Sequence, residues 1–316
     1  KLMRGILRDE MGFDGVLISD WAAIEETIYH GYCADKEDAA IRAVEAGVDI
    51  DMMTGIYCDN LCRLVREGKI PESLVDECCM RILELKNKLG LFENPYKDAD
   101  EEKEQQLILC KEHRELAREA ARKSFVLLKN EEQILPLDKT KKTAFIGPYV
   151  NSRNLMGSWS IIGEAKDITT VEETMAVEEA GNNVVCCQGS PMLGAEVILE
   201  GFTEENQATY TPEEEAKMLE DALEAAKKAD QVVLFIGEDR LQSGEATSNA
   251  TIQIPQIQQN LLERVAEINE NIAVVLFSGR PLDLRDVQVK AKAILEVWMP
   301  GTEGAGAITD VLYGRY

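Results

Sequence analysis

Two hydrophobic periods divide the chain. Residues 2–11 (LMRGILRDEM) carry apolar positions at helical spacing, GFDG supplies a turn, and VLIS, residues 16–19, is an apolar run of the kind that forms a buried strand. KEDAAIRAVEAG then reads as a helix stopped by Gly47, and VDIDMM follows at once as a second strand. CDNLCRLVREGKI and PESLVDECCMRILELKNKLG are the next helices. In the latter Pro71 suits the first turn, Leu74, Cys78, Ile82, Leu85 and Leu89 fall on one face, and Gly90 ends the run. Strands alternating with helices predict parallel pairing under helical cover. Two strands are too few for a sheet that stands alone, so this region reads as the tail of something larger.

LFENPYKDADEEKEQQ is polar and broken by Pro95, and it predicts a linker; a helix is expected through CKEHRELAREAARKSFVLLKN. From Thr143 onward TAFIGP, NNVVCCQG, QVVLFIG, IAVVLFSG and AILEVWMPG are strands. PEEEAKMLEDALEAAKKAD, PQIQQNLLERVAEIN and EGAGAITDVLYG are helices between and after them. Several of these strands end in glycine and a loop rather than a hairpin signal, which predicts a second α/β domain with a mostly parallel sheet. The resulting division is residues 1–94, 95–142 (linker and connecting helix) and 143–316.

Charge and cysteine content narrow the chemistry. A chain of 316 residues is long enough for about two domains. Its formal charge of −24 repels nucleic acid and anionic membranes and suits a neutral or cationic small ligand, although it also serves solubility. Eight cysteines, two adjacent pairs among them, do not form the spacing of a disulfide framework, and a reducing compartment, the cytoplasm, is expected. A leader ahead of Lys1 stays an alternative. Cys58 and Cys62 lie one helical turn apart and could share a metal, but without CxxC or histidine partners they read as buried thiols.

In parallel α/β folds the loops at the carboxyl ends of strands carry function. Asp20, just past VLIS, is there; it could cap a helix, join an ion pair or act as a nucleophile. Trp21 beside it offers a face on which a sugar ring can stack, or simply packs in a core. The second candidate is the loop EDRLQSGEATSN with Glu238, Asp239 and Glu245, either plain surface or a flap delivering a carboxyl group. Two carboxyl groups from separate elements are what glycoside cleavage requires. GTEGAG lacks phosphate-loop spacing and reads as a tight turn with close helix packing. His30 and His113 give a histidine triad little material.

At these residues the chain resembles glycoside hydrolase family 3, of the β-glucosidase and β-xylosidase type. GFDGVLISDW, AGVDIDMM, LKNKLGLFENPY and EHRELAREAARKSFVLLKNE are followed in the family's order by GSWS, SGEATS, SGRPLDL and WMPGTEGAGAITDVLYG. The resemblance implies the end of a TIM-like (β/α)8 barrel, then a six-stranded, mostly parallel α/β sandwich, with retaining double displacement at their interface. It implies Asp20 as nucleophile and Glu245 as acid/base, with Glu238 and Glu26 as rivals, and Trp21 and Ser243 in substrate binding. Asp20 would need donors or cations around it to stay ionised. The expected substrate is a terminal β-D-glucoside, without cofactor or metal. β-Xylosidase, arabinosidase, N-acetylglucosaminidase or a non-catalytic carbohydrate-binding protein are the alternatives, and a homo-oligomer is compatible with the sequence.

Two departures qualify the resemblance. Asn249 stands where the family often has arginine. The chain also begins just before the family's seventh barrel strand and stops short of its usual continuation, so the groups that hold the sugar hydroxyls would lie upstream. These 316 residues alone are therefore expected to be inactive or nearly so.

Overall fold

The computed structural model describes residues 1–160, 163–194, 210–245 and 247–316. It comprises two compact units, Lys1–Glu102 and Lys103–Tyr316.

The first unit opens on a π-helix, Leu2–Glu10, followed by α1 (Ala23–Tyr29), α2 (Lys36–Ala46), α3 (Ile56–Arg66) and α4 (Glu72–Lys88). Helix α2 starts where the Asp35 carboxylate accepts the Asp38 amide (2.9 Å) and stops at Gly47, whose φ of 89° suits glycine. Ala39, Ala40 and Val44 of α2 pack with Ile56 and Leu64 of α3 and Cys78 of α4 to form this unit's core.

The expected buried strand at VLIS is corrected. Residues 16–19 and 48–52 form a single isolated parallel bridge, Ile18 to Ile50, rather than a named strand, and Ile18 is 48% exposed. With no further strand beside them, among the described residues, the ladder does not extend and the outward face of Ile18 stays uncovered. The stripe on α4 is likewise covered only at its start: Cys78 is buried, whereas Leu85 and Leu89 are exposed. Cys58 and Cys62, expected to be buried, are exposed, because α3 buries the face of Ile56 and Leu64 and these two lie on its other side.

Across the division lies α5 (Glu101–Leu107), followed by α6 (Lys111–Ser124). The helix expected to run on through VLLKN ends at Ser124; Val126–Asn130 is instead strand β1, antiparallel to the last strand. The sheet is completed by β2 (Thr143–Ile146), β3 (Val184–Cys187), β4 (Gln231–Gly237), β5 (Ile272–Phe277) and β6 (Ala293–Glu296), in the order β1-β6-β5-β4-β2-β3. Every pairing other than β1 with β6 is parallel, so the sheet is mostly parallel as the strand pattern predicts, and six-stranded as the family resemblance implies.

Helices α7 (Val171–Val177), α8 (Pro212–Lys228), α9 (Gln256–Ala266), α10 (Arg285–Lys290) and α11 (Gly304–Leu312) complete this unit. Alternate residues of β4 and β5 face two apolar layers: Val233, Phe235, Val275 and Phe277 pack toward α7 and α11, and Val232, Leu234, Val274 and Leu276 toward α8 and α9. The glycines of GTEGAG act as read: Gly301 turns at φ 79°, and a Cβ on Gly306 would strike Arg118 of α6. All eight cysteines are free. Among the described residues no helix is long and apolar enough to cross a membrane.

Candidate active site

In the first unit the segment ending in Asp20 is fixed by a buried charge. Asp49, 5% exposed, accepts the Leu17 amide, Arg8 and Arg81, each at 2.8 Å. Arg8 also donates to the Gly15 carbonyl (2.9 Å), so the segment is held at both Gly15 and Leu17. One step on, the Ser19 amide donates to the Ile50 carbonyl (2.9 Å) and the Ser19 hydroxyl accepts the Met52 amide (2.9 Å). A charge as deep as that of Asp49 is tolerated only when it is paired and hydrogen-bonded, and here it locks register. The Asp in VDIDMM was its sequence signal: a carboxylate inside an apolar run.

Asp20 emerges from this support exposed. Its Oδ1 accepts the Trp21 amide at 2.6 Å. Trp21 is 62% exposed, so its indole is not packed in the core of this unit. The capping reading of Asp20 also falls: the N-cap of α1 is Ala22, in the left-handed region at φ 54°, with no side-chain cap. That conformation is uncommon for alanine and turns the chain sharply just after Asp20 and Trp21. The donors and cations expected around Asp20 reduce, among the described residues, to that single amide. Glu26 is exposed on α1.

In the second unit the carboxyl edge of the sheet gathers buried acids. Glu238 follows β4 and is fully buried; Arg280, past β5, donates to it from Nε (3.1 Å to each oxygen) and forms an ion pair with it through Nη2 (2.9 Å). The Tyr149 hydroxyl donates to the Glu238 carbonyl, while its ring stacks on Phe277 with centroids 3.9 Å apart. Glu296, the last residue of β6, accepts the Ser278 hydroxyl (3.2 Å) and the Trp298 amide (2.9 Å). Burial, aided by the Glu238 charge and opposed by those hydrogen bonds, pushes the Glu296 carboxyl up to about 7. Asp239 is also raised by burial and accepts Asn154 Nδ2 at 2.6 Å.

The loop after β4 runs through a single 3-10 turn, Arg240–Gln242, which Asp239 caps by accepting the Leu241 amide (2.8 Å). Ser243 is half-buried, and Glu245 is exposed. Ala246 lies outside the described residues. Asn249 is exposed. Glu238 and Glu245 thus have opposite environments within one loop. The first is neutralised by a fixed arginine, and the second is open to a reacting group. Sequence reasoning assigned no role to Arg280, Asp49 or Glu296; Arg280 stood in SGRPLDL and Glu296 was a lone acid in an apolar strand. Among the described residues no cluster of His, Cys, Asp and Glu is arranged to hold a metal ion.

The mostly parallel sheet thus brings Glu238, Asp239 and Glu296 to its carboxyl edge, where the loops of such folds carry function. The sequence pattern of the glycosyl hydrolase family 3 N-terminal domain matches residues 1–85, and that of the family's C-terminal domain matches residues 125–316. The chain belongs to glycosyl hydrolase family 3.

It is 38% identical to the periplasmic beta-glucosidase of Salmonella typhimurium, over 100% of this chain and 42% of that protein. It is 30% identical to a beta-xylosidase of Formosa agariphila, over 99% of this chain and 43% of that one. The crystal structure of beta-glucosidase from Listeria innocua in complex with isofagomine superposes with a TM-score of 0.87 at 38% identity, covering 100% of this chain and 41% of the other. The chain thus spans less than half the length of these relatives.

Proposed function

We propose that the protein is a retaining, exo-acting β-glycosidase that hydrolyses terminal β-D-glucosyl residues, with Asp20 as nucleophile and Glu245 as acid/base. In the first step the Asp20 carboxylate bonds to the anomeric carbon as Glu245 gives its proton to the departing oxygen, and the aglycone leaves as an alcohol. In the second step Glu245 takes a proton from water, whose oxygen displaces Asp20 and releases the sugar with its configuration retained. Trp21 and Ser243 contact the substrate. Residues 1–94 are the C-terminal portion of a barrel domain, 95–142 a connector and 143–316 the sandwich domain.

The observation that carries this reading is Asp20 itself: an exposed carboxylate, free of any ion pair among the described residues, at the end of a braced segment. Its chain is 38% identical along its length to a β-glucosidase. The separate environments of Glu238 and Glu245 support Glu245 over its rival, since a side chain buried against a fixed arginine is not free to meet a departing oxygen and an exposed one is. Eight free thiols support a reducing compartment.

The test is chemical rescue in the complete protein. Asp20→Ala is expected to abolish turnover of an aryl β-glucoside, and Glu245→Ala to slow it by about 10²–10⁴-fold. Azide should restore the Glu245 variant while forming a glycosyl azide of retained configuration; rescue of a Glu238 or Glu26 variant instead would refute the assignment. The 316 residues alone, matching 42% of the Salmonella relative, are expected to show little or no turnover. Likeness to a beta-xylosidase supports a second reading, and the ratio of kcat/KM for β-xyloside and β-glucoside decides between them.

A further inference from the structure

We propose that Arg280 is a positioning residue that sets the origin of the Glu245 side chain by holding the loop between β4 and Glu245. The inference rests on Glu245 being the acid/base.

The guanidinium of Arg280 binds two things at once. Nε and Nη2 engage the buried Glu238 carboxylate at the foot of the loop, and Nη2 also donates to the Gln242 carbonyl near its tip. An exposed surface loop has no need of a buried ion pair, which is costly to desolvate. A rigid fork can serve a carboxylate and a carbonyl together in fixed geometry, which a lysine point charge cannot do.

Neighbouring loop residues are held from other segments. Asp239 is tied to Asn154, a Cβ on Gly279 would overlap the Ser243 hydroxyl, and a Cβ on Gly244 would overlap Ser158 of GSWS. Gln242 and Ser243 are therefore seated against Arg280 and Gly279 of one segment and Gly244 against Ser158 of another, and Glu245 is the next residue. Among the described residues no bond joins Arg280 to Glu245, so Arg280 acts through the Gln242 carbonyl. Catalysis by a positioned acid is sensitive to displacements of about 1 Å.

The experiment compares wild type, Arg280→Lys and Glu245→Ala in the complete protein by kcat/KM on 2,4-dinitrophenyl and phenyl β-glucosides. Dinitrophenolate departs without a proton; phenol needs one. Both variants are expected to lose more on the phenyl glucoside, with Arg280→Lys showing an extra loss of about tenfold there. A purely structural role would lower both substrates alike.

Equal losses for Arg280→Lys beside unequal ones for Glu245→Ala overturn the positioning role and leave the Glu245 assignment standing. Equal losses for Glu245→Ala overturn that assignment and this inference with it. Hydrogen exchange at the Leu241 and Gln242 amides should quicken in Arg280→Lys, and unchanged exchange would contradict the tie. Should Arg280→Lys fail to fold, Gly279→Ala pushes on Ser243 without touching the ion pair and is expected to give the same leaving-group signature; an equal loss on both substrates there overturns the inference.

Discussion

Glu296 shows how a single side chain can couple the sheet to pH. It ends β6 at 3% exposure, where two hydrogen bonds to one oxygen do not offset the cost of burying a charge. Its folded pKa of about 7 lies above the ordinary 4.5, so the folded state holds a proton that the unfolded chain has already released. Stability is therefore highest below about pH 4.5 with respect to this group and falls as pH rises toward 7. Glu296→Gln keeps the carbonyl that accepts from Ser278 and Trp298 and removes the titration. The variant is expected to exceed wild type by roughly 2–3 kcal/mol near pH 8 and by little near pH 5, read from urea unfolding. A constant difference across that range would mean that Glu296 does not titrate as described.

At the scale of elements, α6 and α11 are joined by Asp310. This buried carboxylate accepts Arg118 at 2.7 and 2.8 Å, Arg122 at 3.0 Å and Arg315 at 2.9 Å. Burial raises its pKa, but the guanidinium groups of Arg118 and Arg315 outweigh that and hold the carboxyl below its usual range. The contribution is thus present above the ordinary 3.8 and is lost as pH falls through the folded value. Asp310→Asn leaves Arg118 and Arg122 without their counter-charge, while Arg315 keeps Glu178; with these arginines still partly exposed, a loss of about 2–3 kcal/mol is expected from thermal unfolding near neutral pH. Gly237 is a second element-scale constraint. At φ 154° a Cβ there would overlap the Phe277 carbonyl of the adjacent strand, so Gly237→Ala is expected to cost at least about 2 kcal/mol by the same measurement.

The legibility of such elements in sequence follows from how they are covered. QVVLFIG and IAVVLFSG are buried on both faces, and continuous apolar runs announce them. VLLKN follows a helix without a breaker and forms an edge strand with three exposed apolar residues, so helical periodicity misassigned it. VLIS looked like a core strand because burial is a property of neighbours, which a local run does not encode. Asp20 and Glu245 were singled out through ordered motifs. Arg280 was not, because its two partners lie 42 and 38 positions away.

For the whole molecule, net charge and buried titration make separable demands. A formal charge of −24 repels itself in any compact state, and salt screens that repulsion over about 8–10 Å. Raising NaCl from about 0.02 to about 0.3 M is therefore expected to raise the unfolding midpoint both near pH 6 and near pH 8. Exposed pairs such as Arg63–Glu37 and Arg42–Asp38 oppose this trend, each being worth little and weakened by the same salt. A falling midpoint would show that such pairs outweigh the excess acid. Glu296 is shielded from salt by burial, so the stability gained in Glu296→Gln near pH 8 should persist at both salt concentrations. Glu296, raised to about 7 by burial, titrates between those two conditions. If the gap between wild type and variant closes in high salt, the carboxyl responds to the surface field of the acidic chain rather than to its own burial.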